Sequence, residues 1–214
     1  ALPLDNLDDN FRAADALITA DAQLAPWPPA DVIIGNPPFL GAKRLKPERG
    51  PDYVNAVRKL YPDVPGMADY CVHWIRRAHD HLAPCTAADP FAGRAGLVGT
   101  QNIRNNQSRV GGLDHVVKTG TIVEAVDNQP WSGEANVHVS IVNWVKSQDQ
   151  KLLPARRRLW HRIDPSPPLP GSASESGGRP ATSTPGIRLS GRRDKSFELA
   201  YRDCDTIHSA LSDE

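Results

Sequence analysis

The stretch "ADVIIGNPPFLGAKR", residues 30–44, decides how the chain is read. Val32, Ile33 and Ile34 are consecutive β-branched apolar residues, a run that suits a strand covered on both faces by helices. Gly35 then gives way to Asn36, Pro37, Pro38 and Phe39. A residue before proline is pushed out of the helical region, and two prolines fix the next two φ angles. The expected result is a buried strand that stops at a rigid polar corner. In an open α/β sheet, ligands bind at the carboxyl ends of the strands, which is where this corner falls. The Asn36 side-chain oxygen and the Pro37 carbonyl are both acceptors. Held facing one spot, they suit a planar amino group with two N–H bonds. Drawing on both hydrogens localises the nitrogen lone pair and prepares it to attack an electrophilic methyl group. Phe39 offers a flat face on which a ring can stack. An Asn-Pro-Pro triplet alone is also an ordinary turn sequence, so the flanking pattern has to choose.

Outward from the corner, strand-like and helix-like segments alternate as far as about Lys146, the pattern of an α/β sheet. Tyr53, Val54, Val57, Leu60 and Tyr61 recur at helical spacing after a polar, basic loop, "AKRLKPER". In "ADYCVHWIRRAHDHLA" the apolar positions are Cys71, Trp74, Ile75, Ala78 and Leu82. Arg76, Arg77, His79 and Asp80 are expected on the opposite, solvated face, and Pro84 ends the helix. "AGLVGT" (95–100), "IVEAV" (122–126) and "VHVSIVNWV" (137–145) read as further strands. His79, Asp80 and His81 are too close in sequence to converge on a metal from one helix face, and no metal site is expected.

The 214 residues carry 25 basic and 25 acidic side chains and are 39% hydrophobic, enough for one sizeable core with a tail left over. No apolar run is long enough to span a membrane, and the N-terminus lacks a basic, apolar leader, so a cytoplasmic chain without a membrane partner is expected. Cys71, Cys85 and Cys204 are odd in number and widely spaced, which argues for reduced, structural thiols. From Pro154 to Gly191 there are seven prolines with many Ser and Gly residues. Such a segment buries too little to offset its ordering entropy. The domain reading is therefore a catalytic domain over 1–150, a flexible linker over 151–196, and the start of a further region over 197–214.

"NPPF" after a strand resembles the catalytic motif of amino-methyltransferases that use S-adenosylmethionine, and an aromatic fourth residue resembles those making N6-methyladenine in DNA. "ADALIT" (14–19) is similar to the preceding cofactor-side motif. "GMADYCVHWIRRAHDHL" (66–82) and "GRAGLVGTQNIRNN" (93–106) resemble the helix and strand that follow. "VDNQPWSGEANVHVSIVNWVK" (126–146) resembles the segment whose aromatic residue packs on the flipped base. Together, residues 1 to about 150 look most like the MmeI-like branch, large restriction-modification proteins that join a nuclease, an adenine methyltransferase and a target-recognition region.

That resemblance implies a partial Rossmann-like methyltransferase sheet with flanking helices, S-adenosyl-L-methionine as cofactor and double-stranded DNA as partner. It implies that Asn36, Pro37, Pro38 and Phe39 form the catalytic corner and that Phe39 and Trp131 stack on the base. It further implies that Asp15, Ala16 and Asn36 touch the cofactor. By residue type alone Trp131 also fits an ordinary core position. The family's glycine-rich cofactor loop belongs upstream of "ADAL", and the chain begins too late to contain it, so weak cofactor binding and low activity of the isolated chain are expected. Two other readings remain open here: a protein glutamine-N5 methyltransferase, whose planar amide suits the same corner, and a truncated remnant without activity. Nothing in the sequence sets an oligomeric state.

Overall fold

A computed structural model describes residues 11–131 and 138–160. Five strands form one mixed sheet: β1 (Val32–Gly35), β2 (Arg94–Thr100), β3 (Thr121–Pro130), β4 (His138–Val145) and β5 (Arg158–Trp160). Their order across the sheet is β1-β2-β4-β3-β5. β1 runs parallel to β2, with Ile33 opposite Ala95. β4 is antiparallel to both β2 and β3, and β5 is parallel to β3. The helices are α1 (Ala42–Arg49), α2 (Pro51–Leu60), α3 (Val72–His81), α4 (Asn106–Gly111) and α5 (Leu113–Thr119). This is the expected α/β class, and all four predicted strands are present.

The main core forms where α2, α3 and α5 bury their apolar stripes with the sheet: Val54, Val57, Ile75, Ala78 and Val116 are almost wholly buried with Leu97, Val142 and Trp144. In α3, Ile75, Ala78, His79 and Leu82 recur at i, i+3, i+4 and i+7, so His79 falls on the buried stripe. It is 1% exposed and bonds through Nε2 to Thr119 Oγ1 at 2.8 Å, which corrects its expected place on the solvated face. The C-terminal carbonyls of α3 are gathered by one cation: Lys146 Nζ lies 2.7 Å from the oxygens of both His79 and Leu82. A positive charge there meets the negative end of the helix dipole.

Three further local expectations change. β1 is an edge strand among the described residues, with Val32 52% and Ile34 81% exposed, rather than a strand covered on both faces. The β-branched run marked the strand correctly, but burial depends on neighbours that residues 32–34 do not themselves specify. "AKRLKPER", read as a loop, is α1. Leu45 anchors it, Arg44 pairs with Glu48 one turn on at 2.6 Å, and the Gly50 N–H closes its end on the Lys46 carbonyl at 2.9 Å. Finally, the segment read as linker from residue 151 carries a short 3-10 turn at Gln150–Leu152 and then β5. Trp160 ties that strand down, its indole N–H donating to Glu124 Oε1 at 3.0 Å. The remainder of the expected linker, the region 197–214 and Cys204 lie outside the described residues. Cys71 and Cys85 are buried free thiols.

Among the described residues no helix is long and apolar enough to cross a membrane. Gly93, which leads into β2, has φ +73°, and a Cβ there would stand 2.7 Å from the Ala83 oxygen and the Cys85 nitrogen. Only glycine fits this approach comfortably.

Candidate active site

The corner sits at the carboxyl end of β1, as the sequence predicted. Asn36 is exposed, Pro37 buried and Phe39 half-buried. Among the described residues the Asn36 side-chain amide makes no hydrogen bond, so its oxygen is available to a ligand. The corner is braced from behind by the segment that precedes α3. The Tyr70 N–H donates to the Leu40 carbonyl at 2.9 Å. Beside it, the buried Asp69 carboxylate accepts from Thr100 Oγ1 at 2.6 Å and Asn102 Nδ2 at 3.0 Å through one oxygen. The Asp69 N–H donates to Ser108 Oγ at 2.9 Å. Asp69 thus ties the segment before α3 to the end of β2 and to α4, while its neighbour Tyr70 ties that segment to the loop after the corner.

In front of the corner lies a cleft of about 670 Å³. Asn36, Pro37 and Pro38 line one part of it, and Asp15 and Ala16 another, so four catalytic or cofactor-side candidates share one space with the corner's asparagine. Phe39 and Trp131 do not line this cleft. They meet each other instead, edge to face, with centroids 5.9 Å apart. Trp131 is 37% exposed, which sets it apart from the core position its residue type also allows.

Asp15 is held tightly. Its Oδ1 accepts from the backbone N–H groups of Leu17 (2.8 Å) and Ile18 (3.1 Å), and Oδ2 from Tyr53 Oη at 2.8 Å. Since the Tyr53 proton goes to the carboxylate, the short bond between Tyr53 and Tyr70 must use the Tyr70 proton. Burial, followed by the bonds to Tyr70 and Asp15, raises the Tyr53 pKa far above the usual phenol value, and burial raises that of Tyr70. Both hydroxyls remain donors at any physiological pH. A carboxylate has about four lone-pair positions. Three are taken at Asp15, leaving about one for a ligand N–H.

Sequence reasoning missed three lining residues. Trp27 donates its indole N–H to the Ala16 carbonyl at 2.7 Å, while Arg77 lies over its ring at 5.2 Å. Tyr70 faces the cleft from the segment before α3. Arg49, the last residue of α1, places its guanidinium 5.7 Å from the Tyr53 ring and 5.5 Å from the Tyr70 ring, within cation–π range. "WPPADV" offered a signal for Trp27, an aromatic residue in a proline-rich lead-in to the catalytic strand. The roles of Tyr70 and Arg49 depend on tertiary contacts and left no local mark.

A mixed sheet thus carries an Asn-Pro-Pro corner at one strand end, facing a cleft whose volume lies within the range of small-molecule sites. The family described as "MmeI, DNA-methyltransferase domain" matches residues 2–155. The chain belongs to that family. Comparison with curated proteins gave no match. Among solved structures, the type IIL restriction-modification enzyme MmeI in complex with DNA is similar, with a TM-score of 0.48 and 17% identity, covering 64% of this chain and 18% of that one. A modification subunit described for a type I restriction enzyme from Vibrio vulnificus YJ016 has a TM-score of 0.44 and 17% identity, covering 66% of this chain and 27% of that one. The chain therefore spans about a fifth to a quarter of the length of these two structures.

Proposed function

We propose that this domain transfers a methyl group from S-adenosyl-L-methionine to the N6 amino group of an adenine flipped out of double-stranded DNA, within a restriction-modification protein. The observation that carries the reading is the shared cleft: the acceptor corner at Asn36 and Pro37 opens on the same space as Asp15 and Ala16. The residues fit the cofactor. Asp15 retains about one acceptor position suited to a purine amino group, Trp27 and Pro38 give apolar walls, and the volume lies within the range of small-molecule sites. When bound, the cofactor supplies a methyl group on a positively charged sulfur, which the amino nitrogen takes as the sulfur–carbon bond breaks towards sulfur.

The chain's own contribution is positioning. A base inside a duplex cannot reach the corner, so it must be extruded. Phe39, paired with Trp131, offers the ring a stacking surface, and Asn36 Oδ1 with the Pro37 carbonyl accepts the two amino hydrogens. That geometry aims the nitrogen lone pair away from the ring plane and towards the cleft. Acceptors held in place by the bound base cost little reorganisation during the reaction. No general base is required, because the proton leaves the nitrogen for water once the methyl has arrived.

The pairing of Phe39 with Trp131 favours a nucleobase over the glutamine amide of a protein substrate, since an amide needs no second aromatic ring. Transfer of labelled methyl to duplex oligonucleotides and to glutamine-containing polypeptides, run side by side, separates the two. Label in adenine N6 supports this reading, and label in polypeptide alone overturns it.

A further inference from the structure

α1 begins three residues after Phe39 and buries a single side chain, Leu45. Within it Lys43, Lys46 and Arg49 recur every third residue. At 100° per residue they form one stripe that turns from the solvent face towards the cleft wall. All three are exposed. Among the described residues none has an ion-pair partner, whereas Arg44, off this stripe, is paired with Glu48. Arg49 is the most constrained of the three, because the rings of Tyr53 and Tyr70 hold its guanidinium beside the corner.

We propose that α1 is a phosphate-binding strip for the target strand, with Arg49 taking a phosphate next to the extruded nucleotide and Lys46 and Lys43 taking the phosphates beyond it. The inference rests on the DNA reading above and deepens it. A base held at the corner remains tethered to its own sugar and phosphate, so the strand must leave the cleft past its wall, where Arg49 stands at the end of α1. The stripe rises about 9 Å along the helix axis. One strand of B-DNA carries a phosphate every 3.4 Å of axis, so this length faces about two to three of them. A planar guanidinium backed by aromatic rings is preorganised for a phosphate's paired oxygens, while the two lysines act as point charges. The alternative is a merely solvated basic helix, which would contribute little to the salt dependence of binding.

The test uses the 214-residue chain and a fluorescent duplex oligonucleotide, with anisotropy titrations over a series of salt concentrations. Each phosphate contact contributes about −0.9 to the slope of log affinity against log salt. Lys43→Gln, Lys46→Gln and Arg49→Gln should each reduce the slope by about 1, and the triple variant by about 3. Arg49→Lys should keep the wild-type slope, and Lys118→Gln on α5, an exposed charge of the same sign, should change nothing. Glutamine has nearly the helix propensity of lysine and arginine, and circular dichroism checks that α1 survives. A triple variant with the wild-type slope overturns this inference and leaves the proposed function standing. A Lys118→Gln variant that loses as much slope as the α1 variants overturns it too, as a general charge effect. A wild-type chain that fails to bind duplex even at low salt overturns both.

Discussion

Phe39 and Trp131, 92 positions apart in sequence, meet with perpendicular ring planes and centroids 5.9 Å apart. Phe39 is fixed by the prolines before it, and Trp131 follows directly from the end of β3. An edge-to-face pair is worth about 0.5–1.5 kcal/mol, less than a base stacked on an aromatic ring, which contributes roughly 1–3 kcal/mol. An arriving adenine can therefore displace or extend the pair at a net gain. Phe39→Ala and Trp131→Ala should each weaken capture of an extruded base about 5- to 150-fold, while leaving stability nearly unchanged for the more exposed Trp131. A fluorescent adenine analogue at the target position reports the flipped population. An unchanged signal for both variants would count against the stacking role.

Asp69 should act on the corner without touching it. Asp69→Ala removes the acceptor for Thr100 and Asn102, leaving Asn102 without that bond and Thr100 with only its long contact to Cys71 Sγ, which should cost about 1–3 kcal/mol. Asp69→Asn keeps an acceptor oxygen and should recover most of that loss. Denaturant unfolding of the two variants measures the difference, and equal destabilisation of both would show that the carboxylate's hydrogen bonds are not what matters there.

Gly93→Ala should destabilise the chain by about 2–4 kcal/mol, because it combines a positive φ with a backbone clash that no side-chain rotation relieves. A drop in the midpoint of thermal unfolding checks this.

Acid should unfold the core through two histidines. Burial lowers the pKa of His73 and of His79 to about 4. The unfolded chain binds these protons near pH 6.5. Between about 6.5 and 4 the unfolded state thus holds more protons than the native state, so stability is complete above 6.5 and declines as the pH falls to about 4. The decline should amount to about 3 kcal/mol for His73 at most. Replacing His79 with Gln, which can still bond to Thr119, should flatten the profile between pH 4 and 6.5. A variant that keeps the wild-type slope in that window would contradict the assignment.

Much of this was legible because it is written in local chemistry. The β-branched run and the prolines specify β1 and its corner without help from the rest of the chain, and the 3.6-residue spacing of Ile75, Ala78 and Leu82 specifies α3. The same spacing placed His79 on the buried stripe, but its polarity argued for solvent and hid the Thr119 partner on α5. α1 was obscured by Pro47 and by a composition almost without apolar residues. Its single anchor, Leu45, gives no periodicity to read. Motif resemblance singled out Asp15 and Asn36, which line one cleft, whereas Tyr53, Tyr70 and Arg49 come beside it through contacts that span the fold. β5 escaped notice because three residues, Arg158–Trp160, are too few to show a strand period.

The central claim is that Asn36 clamps the amino group of an extruded adenine. It is tested most directly by single-turnover transfer of labelled methyl to duplex DNA. Asn36→Ala removes one of two acceptors while leaving the prolines, β1 and Phe39 in place. Folding and duplex affinity should be nearly unchanged, and the single-turnover rate should fall by ~10²–10³, about 3–4 kcal/mol. A near-normal single-turnover rate for Asn36→Ala on adenine-containing duplex would contradict the account.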